Sequence, residues 1–308
     1  MAGIPVGDAE VAACPARGGA DASPRRSVEV RMRFQDAVVV VTGGGSGLGR
    51  AAALRYAHEG AKVVVADIGE DRAAAVAEEI VAAGGTALAV AVDIADEPSV
   101  AAMVDRTVEE FGKLDVMYAN AGIPEPGFGF VPLEDMDIEA WNRNIAVNLT
   151  GAFLSTKHAV RAMKPQGTGS VVICSSAAGL TAYPGWTGYT AAKHGVVGFV
   201  KAAALSAGRL GIRVNAVCPA HGMSTGFITG ESSTSSHEQA AGGWDPAASE
   251  IPLKLDRAPN LDDTVDLVMF LSSDAAAYMT GVSIAATDGG TLGKVALTIP
   301  SHIDQAQV

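Results

Sequence analysis

The chain is predicted to fold as an α/β unit, a doubly wound sheet of seven parallel strands with helices on both faces, and three observations carry that expectation. From Ala37 onward, short β-branched runs alternate with longer Ala-rich stretches of helical period. Apolar residues make up 48% of the chain and aromatic ones only 5%, a balance that suits helices packed closely on a sheet of small branched side chains. A glycine-rich turn, Thr42-Gly43-Gly44-Gly45-Ser46-Gly47-Leu48-Gly49, falls between the first strand run and the first helical run.

The strand runs are Ala37–Val41, Lys62–Ala66, Ala87–Ala91, Val116–Ala119, Ser170–Cys174, Arg213–Val217 and Val282–Ala286. Helical stretches lie between them, near 47–59, 71–83, 97–111, 138–163, 188–208 and 262–272. Strand–helix alternation of this kind makes neighbouring strands parallel, joined by right-handed crossovers. It runs unbroken to the seventh strand, so residues 34–308 read as a single domain without internal repeats. The rhythm breaks at 221–250, rich in Gly, Ser and Thr with Trp244 near its end. A long loop after a strand's carboxyl end is either a lid over a substrate or a tolerated surface insertion.

Residues 1–33 differ from the rest, with Pro5, Pro15 and Pro24 scattered among Ala, Gly and charges and no hydrophobic period. They read as a disordered tail, or translation starts at Met32, just before the first strand. Arg25-Arg26 is followed by Ser27-Val28-Glu29-Val30-Arg31 rather than by an apolar stretch, which argues against an export signal.

Composition excludes several function classes. A net charge of −12 without any Lys/Arg-rich block offers nucleic-acid phosphates no footprint. No run of 18 or more apolar residues exists, so no membrane partner is expected. Cys14, Cys174 and Cys218 follow no metal-ligand spacing, and their odd number fits a reducing, cytoplasmic compartment better than a disulfide framework. The histidines form no metal-binding pattern either, and no metal site is expected.

The glycine turn points to a dinucleotide. Glycines at 43, 45, 47 and 49 let the backbone turn sharply and approach a pyrophosphate, while free N–H groups at the head of the helix, from Ser46 to Leu48, favour its charge. Asp67 ends the second strand, eighteen residues after Gly49, where a carboxylate accepts hydrogen bonds from the adenosine ribose and repels a 2′-phosphate. Ser46 stands where an Arg or Lys would have welcomed that phosphate, and neither Ile68 nor Gly69 after the second strand is basic. The expected cofactor of this Rossmann-type site is therefore NAD. Asp93 and Ile94, after the third strand, are candidates to hold the adenine, although an Asp in that place also caps turns.

Tyr189 and Lys193 lie four apart, which on a helix puts phenol and ammonium on one face, and Ser176 precedes Tyr189 by thirteen residues. With the turn at 42–49, Asn120-Ala121-Gly122, Asn148 in Asn-Leu-Thr-Gly, Asn215 with Pro219, and Asp288-Gly289-Gly290, these residues follow the order of the short-chain dehydrogenase/reductase family, which the chain resembles from about Phe34 to about Gly293. The resemblance implies that Tyr189 is the general acid/base. A free phenol titrates near roughly pH 10 and is a poor base at neutrality. Lys193 and the nicotinamide charge would ease its ionisation, and Lys193 would also hold the nicotinamide ribose. Ser176 would hydrogen-bond the substrate oxygen, with Ser175 as the alternative hydroxyl, and Asn148 would hold a water linking Lys193 to solvent. Asn120, Ala121 and Gly122 would run alongside the cofactor. Pro219 would lead the segment that meets the carboxamide, with Ser224 in the place of the family's Thr. His221 reads as polar filling.

In the family, substrate contacts come from loops that here are Pro124–Leu133, Ala177–Trp186 and His221–Glu250. They are apolar and aromatic, with Leu180, Tyr183 and Trp186 in the second, and contain no Arg or Lys. The expected small-molecule substrate is a neutral secondary alcohol or its ketone, apolar or cyclic. Family members usually form homotetramers through the helices holding 138–163 and 188–208, and the same is expected here by analogy. Two other readings compete: an NADPH-dependent 3-oxoacyl-thioester reductase, and a catalytically silent NAD-binding sensor or scaffold. The first would call for a basic residue near Ser46 or after the second strand, the second for loss of Tyr189, Lys193 or Ser176.

Overall fold

The β-branched runs form strands β1 (Val38–Thr42), β2 (Lys62–Asp67), β3 (Thr86–Ala91), β4 (Val116–Ala119), β5 (Gly169–Cys174), β6 (Ile212–Cys218) and β7 (Ser283–Ala285). All pair in parallel, in the order β3-β2-β1-β4-β5-β6-β7. The computed structural model describes residues 32–125, 131–183, 185–220, 253 and 255–285, all within the unit Met32–Val308. The tail expected at 1–33 therefore lies outside the described residues except for Met32 and Arg33, whose guanidinium pairs with Glu59. The loop 221–250, the Asp288-Gly289-Gly290 motif and Ala286 of the expected seventh strand also lie outside them.

The strands are valine-rich because both faces of the sheet are covered. Val39, Val41, Val63 and Val65 turn to the side of α1 (Gly47–His58), α2 (Glu70–Ala82) and α7 (Leu261–Ser272). Val40, Val64, Met117, Val171 and Ile173 turn to the side of α3 (Glu97–Phe111), α5 (Gly151–Met163) and α6 (Thr187–Gly208). Successive residues of one strand thus feed two cores. Each fully buried Val, Ile or Met side chain is worth about 1.5–3 kcal/mol. On the first face Tyr56 of α1 and Ser272 of α7 join by a buried 2.5 Å hydrogen bond between their hydroxyls. Asn215 of β6 ties the sheet's last pair together, its amide donating to Met279 O at 2.8 Å and its carbonyl oxygen accepting from Val282 N at 3.2 Å.

Local signals fix where helices begin. Asp96 accepts from Ser99 N at 3.0 Å to start α3, and Asn260 and Asp263 exchange bonds as a capping box to start α7. The stretch expected as one helix over 138–163 is instead three pieces: α4 (Ile138–Asn144), a π-helical segment Ile145–Thr150, and α5. The π turn adds a residue to the helical repeat, and buried Asn148 sits within it. Among the described residues no helix is long and apolar enough to cross a membrane.

β1 lies between β2 and β4, so the chain moves one way across the sheet after β1 and the other way after β3. At such a switch point the loops leaving the carboxyl ends of neighbouring strands splay apart and open a crevice.

Candidate active site

Gly43 occupies the left-handed region at φ 64°, and a Cβ there would stand 2.9 Å from Ala121 Cα. At Gly49 a Cβ would stand 2.0 Å from Gly43 O, so no side chain fits between the turn and the helix it opens. The turn is tied to the exit of β4: Thr42 Oγ1 accepts from Asn120 N at 3.0 Å and from Ala121 N at 3.1 Å, and Asn120 Nδ2 donates to Thr42 O at 3.0 Å. The Asn120 side chain therefore fastens two loops that would flank a dinucleotide. Leu48 is buried under the turn, and Ser46 is exposed.

Asp67 closes β2 with only 4% of its surface exposed. Its Oδ2 accepts from Gly45 N at 3.0 Å, and its Oδ1 accepts from Gly69 N at 2.9 Å and from Arg72 at 2.7 Å. Arg72, on the first turn of α2, is the basic residue that a search of positions 68 and 69 does not reach. It stands beside the turn, since a Cβ on Gly45 would be 2.7 Å from Arg72 Cβ. Ile68 is 70% exposed over the same corner. Asp93 is exposed and its Oδ1 accepts from Ala95 N at 2.9 Å, which is turn capping, while buried Ile94 packs on α5 at Gly151.

The other end of the crevice gathers the titratable groups. Ser176 leaves β5, and its Oγ accepts from Ala178 N at 3.1 Å, capping a single 3-10 turn over Ala177–Gly179. Ser175 next to it is buried, and its hydroxyl donates to Lys193 O at 3.0 Å. Of the two hydroxyls, Ser176 is the one within hydrogen-bonding reach of the Tyr189 phenol. Tyr189 and Lys193, on one face of α6, are 4% and 3% exposed, so both titrate in a largely dry setting. Lys193 Nζ donates to Cys174 O at 2.9 Å and lies 5.4 Å from the centre of the Tyr189 ring.

Burial raises the Tyr189 phenol well above its ordinary value, and the Ser176 hydrogen bond works against that rise. Burial also lowers Lys193. The thiols of Cys174 and Cys218 are held protonated by the same dry surroundings, Cys218 being pushed up to about 11. Burial thus favours the neutral form of both groups, the phenol and the amine.

Asn148 is clamped against the exit of β4: its Oδ1 accepts from Ile123 N at 3.1 Å and its Nδ2 donates to Ile123 O at 2.9 Å. A Cβ on Gly122 would stand 2.7 Å from Asn148 Oδ1 and 3.4 Å from Lys193 Nζ, so glycine lets the cofactor-side backbone lie against both. Pro219, buried after β6, accepts from Ala177 N at 2.8 Å and joins the loops leaving β5 and β6. Ser224 and His221 lie outside the described residues.

Aromatic rings pack in series beside the phenol. Tyr183 and Trp186 stand 5.7 Å apart, centre to centre, and Trp186 meets Tyr189 edge to face at 5.6 Å. Among the described residues no group of three or more His, Cys, Asp or Glu could hold a metal ion.

The turn fits a dinucleotide, because its glycines bring bare backbone to the crevice and Asp67 sets an acceptor at its far end. With the phenol, the cation and a serine hydroxyl at the near end, the crevice can place a proton donor beside a carbonyl. The model of the family described as short chain dehydrogenase matches residues 37–234. The chain is 40% identical over 260 residues to the cis-4-hydroxycyclohexanecarboxylate dehydrogenase of Sinomonas cyclohexanicum, covering 83% of this chain and 97% of that one. It is 35% identical over 264 residues to (+)-borneol dehydrogenase 1 of Salvia officinalis, covering 86% and 96%. Among solved structures, levodione reductase superposes with a TM-score of 0.74 at 33% identity, covering 85% of this chain and 100% of that one.

Proposed function

The chain belongs to the short-chain dehydrogenase family, and on that premise we propose that it interconverts a neutral cyclic secondary alcohol and its ketone with NAD as the cofactor. It is an oxidoreductase of CH–OH groups that uses a nicotinamide dinucleotide. The finer reading rests on one observation above all: the Tyr189 phenol has Ser176 within reach and Lys193 beside it, and its ring packs edge to face on Trp186, which packs on Tyr183. When bound, the nicotinamide supplies or accepts the hydride.

The side chains do the rest. In reduction Tyr189 gives its proton to the substrate oxygen, and in oxidation it takes the hydroxyl proton as the carbinol hydride departs. Ser176 donates a hydrogen bond to that oxygen while charge builds on it. Lys193 lowers the cost of the phenolate, and its own proton is easier to release because burial disfavours the ammonium. Asn148 holds the segment from Gly122 to Ile123 against this pair. Replacing the lost proton from solvent through Asn148 is part of the proposal.

The substrate class is supported by the sequence of the loops that the family uses for substrate contacts. None of the loops 124–133, 177–186 and 221–250 contains Lys or Arg, so nothing there would pair with a carboxylate or a phosphate. Two of the relatives act on cyclic alcohols by name, one a hydroxycyclohexanecarboxylate and one borneol. The lack of Lys and Arg in these loops favours the neutral kind. NAD is supported by the buried Asp67 carboxylate, which would repel a 2′-phosphate. A homotetramer in the cytoplasm, as is usual in the family, completes the reading.

The test is turnover of the purified protein with NAD⁺ and NADP⁺ on cyclic secondary alcohols, borneol-like neutral ones beside hydroxycyclohexanecarboxylates. The neutral alcohols with NAD⁺ should give the higher kcat/KM. Preference for the carboxylates, or for NADP⁺, would overturn the respective half of the proposal.

A further inference from the structure

A carboxylate is buried at the head of the helix that carries Tyr189 and Lys193, and the chemistry described so far does not use it. Glu125 follows β4 and is 2% exposed. Its Oε2 accepts from the main-chain N–H of Tyr189 at 2.6 Å, and its Oε1 accepts from Asn144 Nδ2 at 3.4 Å.

The reason for this arrangement lies in how α6 begins. The first N–H groups of a helix have no partner within it, and the residue before the helix usually supplies an acceptor. Here that residue is Trp186, which makes no side-chain cap. Glu125, 64 positions earlier in sequence, takes over, and its charge faces the positive end of a 22-residue helix. Gly188 makes room, because a Cβ there would stand 3.2 Å from Oε1 and 3.5 Å from Oε2.

The same carboxylate reaches the relay. Asn144, fully buried at the end of α4, accepts from Asn148 Nδ2 at 2.9 Å, and Asn148 is bonded in turn to both main-chain groups of Ile123. One network therefore joins the exit of β4, the end of α4, the π turn and the first turn of α6. Two of its members, Tyr189 and Asn148, carry the proton chemistry.

We propose that Glu125 is a positioning residue for the reaction proposed above. It caps α6 from a distant part of the chain and so sets the place of the Tyr189 phenol relative to Asn148 and Ser176. The proposal rests on the functional reading, and its test separates the two.

Three variants decide it. Glu125→Gln keeps an oxygen for Tyr189 N and gives up the longer bond to Asn144. Glu125→Ala removes both. Gly188→Ala leaves the carboxylate in place but crowds it, while favouring the helix by propensity. A displacement on the order of 1 Å at a reacting group costs about 100-fold. The expected result is a fall in kcat of about 100-fold for Glu125→Ala and about 10-fold for Gly188→Ala. Glu125→Gln should recover most of the loss, and NADH affinity by fluorescence titration should stay within about twofold of the parent in all three.

Amide hydrogen exchange over 187–190, which needs no substrate, should quicken in Glu125→Ala and much less in Glu125→Gln. Parental kcat in folded Glu125→Ala would overturn the proposal, as would equal losses in the Gln and Ala variants. If Glu125→Ala does not fold, parental kcat in Gly188→Ala overturns it. Should the parent turn over no cyclic alcohol at all, the functional reading fails, and the exchange measurement still decides whether Glu125 caps the helix.

Discussion

The hydroxyl of Ser175 donates a 3.0 Å hydrogen bond to the main-chain carbonyl of Lys193. That bond engages the first of two adjacent serines, while Ser176 caps only its own short turn and has the phenol within reach, which is why the proposed reaction uses Ser176. Ser175→Ala should destabilise the protein by about 1 kcal/mol, the usual net worth of such a bond, with kcat within about twofold of the parent. Ser176→Ala should reverse the pattern, with stability little changed and kcat lowered by about 100-fold or more. Denaturant unfolding and steady-state rates on the two variants check this together.

Asp67 and Arg72 form a 2.7 Å ion pair at the corner expected to meet the adenosine ribose. Removing the carboxylate leaves a guanidinium free to bind a 2′-phosphate. Asp67→Ser should therefore move the ratio of kcat/KM for NADP⁺ over NAD⁺ upward by about 100-fold, the scale of relieving a like-charge contact. The double variant Asp67→Ser/Arg72→Ala should lose most of that gain. An unchanged ratio in the single variant would show that Asp67 does not select the cofactor.

Tyr56, Tyr118 and Tyr189 are all raised by burial above the ordinary phenol value of 10.0. In the unfolded chain these phenols lose their protons near that value, whereas in the fold they keep them. Their contribution to stability is therefore fully present below pH 10.0 and is lost as the pH climbs above it. Absorbance at the phenolate band should show Tyr56 and Tyr118, two of the five tyrosines and both outside the proposed proton transfer, ionising only together with unfolding. Reversible ionisation of all five while the fold persists would contradict their burial.

Strand positions were legible to within a residue or so because β1, β2, β4, β5 and β6 are covered on both faces, and such coverage demands Val, Ile or Ala at nearly every position. The parallel sheet and the place of the glycine turn followed from the alternation. The break at Ile145–Thr150 was not legible, since a π turn inserts one residue without changing which residue types a buried helix accepts. Arg72 was hidden because the two residues directly after Asp67 are not basic, whereas the first turn of α2 carries a residue five positions on back to the strand end. Glu125 escaped for a related reason: in sequence it is one acid in a Pro-rich loop. Its capping role was hidden as well: the helix expected from 188 follows Thr187, an ordinary capping residue, whereas α6 begins at Thr187 itself and leaves Trp186 in the cap position. Asp93 was legible both ways, and its bond to Ala95 N shows the turn-capping side.

In the proposed reaction the Tyr189 phenol moves the proton, and Tyr189→Phe removes that oxygen while keeping the ring against Trp186. With NAD⁺ and a cyclic secondary alcohol that the parent oxidises, kcat should fall by roughly 100- to 10,000-fold, the range for loss of a general acid/base. NADH should still bind as it does to the parent. A Phe variant that turns over at the parent's rate would contradict the account at its centre.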